Sequence, residues 1–402
     1  QEKNQILDAV YHLSHSKNVE DFRKSIKLVH APGLNIMYGD AKNNISWTAS
    51  GKLYKLDKSI NPNFILNGSN GIDDQKEFLP FAKNPSALNP SWNYLYSANN
   101  QTEAIDGYLY PGYYLPKDRA ERIDNLLSSK NNWTKNDVEK MIVDNTSSRS
   151  SFVVSTILPQ INLKDKSKNF ETAYAILSKW NGSNNENDIA PTIYNKFIYH
   201  YLKNTFEDEL GKKDFESLLA THIVKQIIEP QMANENSIWW DDISTKDKKE
   251  NRATILRKSL EEAIVSLENQ LGKDVNSWTW NKVHKLEHVH PIGQVKLLKP
   301  FFNVGKFDIA GSNEVINNLA FIYTDNQEHF VKAGPSTRRV IDFSDVENSV
   351  SILPTGNSGN PMSKYYNDQA EIYNKGQFRK MKMNKKEILE TSTKLVFTKK
   401  DN

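Results

Sequence analysis

Two primary amides stand side by side in the stretch YLYSANNQ, residues 94–101. Asn99 and Asn100 each carry donors and an acceptor in one small group, and burying such a group without partners is costly. An amide NH₂ at a strand end in a cleft is a competent oxyanion donor, able to stabilise the negative oxygen that develops during acyl transfer. Arg119, about twenty residues further on, offers a guanidinium that can hold such an amide in position. Asn is also a habitual turn residue, so residue types alone leave two readings open: a turn cap and a catalytic donor.

Other groupings are weaker. HKLEH at 284–288 matches the H-x-x-E-H zinc-peptidase pattern. That chemistry needs a helix to present His284 and His288 on one face. Pro291 follows at once, so the run is expected in a strand or turn. TGNSGNP at 355–361 lacks the glycine spacing of a serine nucleophile elbow and reads as a loop. In GPSTRRVIDF, 334–343, Arg338 and Arg339 precede an apolar strand containing Asp342; an arginine bracing the sheet is the favoured reading over an ion pair. Asn-x-Ser/Thr triplets at Asn44, Asn67, Asn132, Asn145 and Asn181 carry no weight in so Asn-rich a chain.

Composition excludes several classes. Among 402 residues, 52 are basic and 49 acidic, a net charge of +3, with no basic stripe interleaved with aromatics, which gives no case for a nucleic-acid binder. No run approaches the ~18 apolar residues of a membrane span, and the mean hydropathy is -0.67; a soluble chain is expected. With no cysteine, disulfides, thiolate metal sites and a cysteine nucleophile are excluded. The chain opens Gln1-Glu2-Lys3 without an initiator Met or a signal-like apolar segment, which reads as a processed product or fragment.

The elements that must position these groups follow from patterning. Residues 5–30 read as helix, with Ile6, Val10 and Leu13 on one face, Asn18 as an N-cap, and Phe22, Ile26 and Val29 repeating the stripe. A hairpin is expected around a turn at 41–44, a loop over 62–90, and a strand over 92–98. Residues 118–128 return to helix, and 133–275 are mainly helical, with Leu260, Ile264, Leu267 and Leu271 closed by Gly272. Short apolar runs then read as strands at 295–298, 319–323 and 340–343, and the Asn-rich patch at 181–188 reads as loop. Strands, a helical block and strands again make an α+β arrangement, divided at 1–116, 117–276 and 277–402.

The ordered motifs resemble one family. HAPGLNIMYGDAKNNISWTASGKL resembles the aP-x-x-N-x-x-y-A-D-x-x-G-N-I segment of the penicillin acylase family. YLYSANNQ, DRAERIDNLL, HVHPIG, GPSTRRVIDFSD and LPTGNSGNPMSKYYNDQAEIYNKGQF are similar to its later blocks, in order. The resemblance implies an N-terminal-nucleophile hydrolase with a four-layer αββα core, cut from a precursor into a small and a large chain. This sequence matches the C-terminal larger part of the large chain. The nucleophilic Ser, the rest of the large chain and the small chain are then expected upstream of Gln1.

Asn99 would donate to the tetrahedral oxyanion and Arg119 would orient it, while Asn100 would satisfy local backbone groups. Pro62 and Asp106 fall near the positions of a structural calcium; no organic cofactor is expected. The implied substrate is an N-acyl amide such as a β-lactam or an acyl-homoserine lactone, and the implied compartment is periplasmic or extracellular. A binding protein on the same scaffold without catalysis is the alternative. Strands left without upstream partners would make the chain fold poorly alone.

Overall fold

The computed structural model describes residues 4–398 except 56, 58–59, 62–63, 70, 72–73, 75–76, 165 and 326–327. The chain forms two compact units, Gln1–Ala120 and Glu121–Asn402.

The first unit opens with two short helices, α1 (Ile6–Ser14) and α2 (Val19–Ile26), where one was expected. The break falls at Asn18, whose side-chain oxygen accepts from Asp21 N at 2.9 Å and so caps α2. Phe22, Ile26 and Val29 are buried as the stripe requires. Strands β1 (Leu34–Gly39) and β2 (Ile45–Ser50) then form the expected hairpin, with Met37 opposite Trp47.

Asp40 sets its turn. The carboxylate accepts from the Asn44 side chain, Tyr38 OH and Lys42 N, and these bonds, the Asn44 amide foremost, pull its pKa down to about 2. A third strand, β3 (Ser86–Leu88), pairs with β2 inside the stretch expected to be loop. The buried side of β2 is Ser46, Thr48 and Ser50. Ser46 Oγ and Ser50 Oγ donate to Ala87 O and Leu34 O at 3.0 and 2.9 Å, which satisfies both hydroxyls.

The second unit carries the helical block and the remaining strands. Ala190–Leu219 and Arg252–Leu271 are its longest helices, and they pack around Phe197, Tyr201, Trp240, Leu256, Leu260, Ile264, Trp278 and Trp280. Leu260, Ile264 and Leu267 are buried at the predicted spacing, and Gly272, at φ 90°, ends their helix. Gly211, at φ 73°, interrupts the longer one in a conformation open to glycine.

Strands β4 (His284–His288), β5 (Val304–Asp308), β6 (Ala320–Phe321) and β7 (His329–Ala333) form a sheet in the order β5-β4-β7-β6. Another runs β10-β9-β8 from β8 (Arg338–Val340), β9 (Val350–Ile352) and β10 (Arg379–Lys380). Sheets early and late with helices between them make the molecule α+β.

Two further expectations are corrected and a third is extended. Residues 94–97 belong to no ladder, so their alternating side chains mark an extended segment and not a paired strand. The apolar run 295–298 is a turn, because Leu298 O closes onto Phe301 N at 3.0 Å and starts the short helix Lys299–Phe302. The Asn-rich patch is a buried joint as well as a loop. Asn184, 1% exposed, donates through Nδ2 to Gly182 O at 2.7 Å, and its carbonyl accepts from Gly311 N at 3.0 Å.

Candidate active site

Asn99 sits in a bend with φ 62°, the left-handed region that Asn tolerates better than most side chains. Its carbonyl accepts from Leu115 N at 2.8 Å, and Asn100 bridges Leu115 in parallel sense. These contacts fix the backbone just before the helix Asp118–Ser128 (α3) begins. Arg119 lies in its first turn. Buried Asp118 accepts from Arg119 N at 2.6 Å.

Arg119 Nη2 donates to Ala98 O at 2.7 Å and to Asn99 Oδ1 at 2.8 Å. A guanidinium has no acceptor, so only the amide oxygen of Asn99 can face it. The NH₂ is thereby turned away from the guanidinium, and no described residue accepts a hydrogen bond from it. Burial pulls the Arg119 pKa below its ordinary value, from a starting point so high that the group stays charged.

Asn100 does different work. Its Oδ1 accepts from Ala98 N and its Nδ2 donates to Gln101 O, each at 3.3 Å, so its amide is spent on local backbone as expected. A recess of about 300 Å³ lies beside it, walled by Trp47, Trp92, Tyr94 and Tyr96.

The calcium residues fare differently. Pro62 lies outside the described residues. Asp106 and Gly107, with φ 50° and 79°, form the two-residue turn of a tight hairpin closed between Ile105 and Tyr108, and Asp-Gly is a strong sequence signal for such a turn. The Asp106 carboxylate pairs with Lys83 Nζ at 2.8 Å. Calcium takes six to eight oxygens, and no cluster of three or more acidic or His side chains fit to hold a metal is present among the described residues. One carboxylate already facing an ammonium does not fit that ion.

HKLEH is a strand, which removes the helix a zinc pair requires. His284 is fully buried, with Nδ1 2.8 Å from Ile309 O and Nε2 3.3 Å from Leu319 O. Both neighbours are carbonyl oxygens, so a neutral ring donates to one of them. Burial pushes its pKa down to about 4, so the ring is a neutral core group stacked on Trp280 at 4.7 Å. TGNSGNP is a loop, as expected.

Arg338 starts β8 and does not pair with Asp342. It donates to Tyr373 O at 2.9 Å and Asn317 Oδ1 at 2.7 Å, and lies over the Tyr373 ring at 3.8 Å. This is the bracing role.

The penicillin amidase family model matches residues 1–390. The chain belongs to the penicillin amidase family. It is 27% identical over 405 residues to an acyl-homoserine lactone acylase, QuiP, of Pseudomonas syringae pv. syringae, covering 93% of this chain and 47% of that protein. It is 20% identical over 307 residues to the penicillin acylase 2 proenzyme of a Pseudomonas species, covering 75% of this chain and 38% of that one.

The thermostable penicillin G acylase of Alcaligenes faecalis superposes with a TM-score of 0.65 at 13% identity, over 99% of this chain and 73% of that structure. That likeness gives this family member its fold. The chain spans about half the length of the curated relatives it matches. No helix among the described residues is long and apolar enough to cross a membrane.

Proposed function

We propose that this chain is the oxyanion-binding part of an amidohydrolase that cleaves the side-chain amide of N-acyl substrates. The observation that carries the reading is the 2.8 Å hydrogen bond from Arg119 Nη2 to Asn99 Oδ1, which leaves the Asn99 NH₂ free to donate. A serine hydroxyl from a part of the precursor outside these residues adds to the substrate carbonyl. As its oxygen becomes negative, Asn99 Nδ2 donates to it, at a position fixed before the reaction begins. The tetrahedral adduct then collapses, the amine departs with a proton, and water releases the acyl group as a carboxylic acid.

Arg119 acts as a positioning residue through Asn99. The aromatic recess beside Asn100 suits an apolar group of the substrate. The names of the relatives suggest acyl-homoserine lactones and penicillins as the compounds to try first, in a periplasmic or extracellular setting. The test is turnover of both by the complete protein and by its Asn99→Ala variant. Hydrolysis of neither by a folded wild-type protein removes the reading.

A further inference from the structure

The helix Ala190–Leu219 breaks at Gly211, whose φ of 73° and ψ of 158° lie outside the helical region. Its two arms and the next helix, Ile223–Ala233, enclose a recess of about 480 Å³ with Trp239 in its wall. Phe206 and Leu210 reach the recess from before the break, Leu218 from after it, and Ile227 and Pro230 from the next helix. Phe206 and Trp239 meet edge-on with ring centres 5.2 Å apart. Leu210, Leu218, Ile227 and Trp239 also pack against the main helical core, so the wall is held by the folded interior. The volume is that of a small-molecule site.

A quarter of the chain is charged, yet no ionisable side chain lines this recess among the described residues. Its polar side chains are primary amides, and two of them have their oxygens engaged by the protein. Gln231 Oε1 accepts from Ser237 Oγ at 2.9 Å, and Asn234 Oδ1 accepts from Asn236 N at 3.2 Å. What each has left is its NH₂, which can only donate. Gln231 Nε2 is buried without a hydrogen-bond partner, a cost that an arriving acceptor removes. An apolar wall with donors and no countercharge disfavours carboxylates and amines, whose charge would be buried unpaired. It suits a carbon chain that ends in a neutral carbonyl.

We propose that this recess binds a neutral carbonyl compound with a medium-length alkyl chain. The chain lies against Phe206, Leu218 and Trp239, and the carbonyl oxygen accepts from Gln231 Nε2 and Asn234 Nδ2. The recess belongs wholly to the second unit, and the proposal does not depend on the role of Asn99.

The test uses the complete protein and 2-nonanone, a ketone with no amide bond to cleave. Isothermal titration calorimetry should show saturable binding that Leu218→Trp removes by filling the recess. Gln231→Met keeps the side-chain length and loses the donor, and should weaken binding about fivefold, the worth of one hydrogen bond. Nonanoate, a chain of the same length with a charged end, should bind at least about tenfold more weakly than the ketone. No saturable binding, binding unchanged in either variant, or nonanoate as tight as the ketone overturns the proposal. Labelling of the wild-type protein keeps the test decisive should Leu218→Trp fail to fold. Irradiation with 2-nonanone carrying a diazirine on its chain should mark peptides within residues 206–239, and label confined to other peptides overturns the proposal.

Discussion

Arg119 holds the side-chain oxygen of Asn99 2.8 Å from its Nη2 while the same nitrogen grips Ala98 O at 2.7 Å. One nitrogen thus fixes both the backbone entering the bend and the amide that leaves it. The amide NH₂ needs no reorganisation to meet a developing charge, and that is the condition under which a hydrogen bond accelerates acyl transfer.

Removing the donor tests this directly. Asn99→Ala in the complete protein should lower kcat by 10²–10³-fold, about 3 kcal/mol for one oxyanion donor, while the protein stays folded with only a small drop in melting temperature from placing Ala at φ 62°. Asn99→Asp should be at least as damaging, since its carboxylate would pair with Arg119 and repel the oxyanion. Unaltered turnover in either variant would remove Asn99 from the site.

Arg119 should act only through that amide. Arg119→Lys keeps the charge and loses the planar fork, so kcat should fall about tenfold while KM stays close to wild type. In a double-mutant cycle with Asn99→Ala the losses should not add. Full additivity would show that Arg119 works by another route.

Acid should unfold the second unit early. His284 has its pKa lowered to about 4 by burial against an ordinary 6.5, and burial pushes His329 well down too. Between those values the unfolded chain binds more protons than the folded one. Stability is therefore full above about pH 6.5 and lost as pH falls toward 4, by roughly 3 kcal/mol for His284 alone. Denaturant titrations from pH 4 to 8 check the slope; a flat profile contradicts it.

Arg338→Met should destabilise the protein by about 3 kcal/mol. The substitution leaves Tyr373 O and Asn317 Oδ1 without their donor and removes the cation over the Tyr373 ring. A midpoint in urea within error of wild type would show that β8 does not need its brace.

Asp106→Asn should leave the calcium content of the complete protein unchanged, because Asp106 is a hairpin-turn residue paired with Lys83. Metal analysis before and after chelation decides it. A mole of calcium lost in the variant would restore Asp106 as a ligand.

Local chemistry was legible in the sequence because it acts over a few residues. Asn18 caps a helix, Gly272 ends one, α3 covers residues 118–128 as its pattern says, and Pro291 argued correctly that HKLEH could not be helical. The ordered motifs were enough to place the chain in its family. What sequence could not decide were relations between segments far apart along the chain.

Whether 94–97 is paired depends on a neighbouring strand, and a period of two along one segment says nothing of a partner. The run 295–298 has the apolar composition of a strand, yet its carbonyls close on residues three ahead. That Arg338 braces Tyr373, and that the Arg119 guanidinium meets the oxygen of Asn99, follow from folding distant residues together. Residue types named the amide and the guanidinium; only the tertiary structure brought them within hydrogen-bond reach and thereby decided which end of the amide is free.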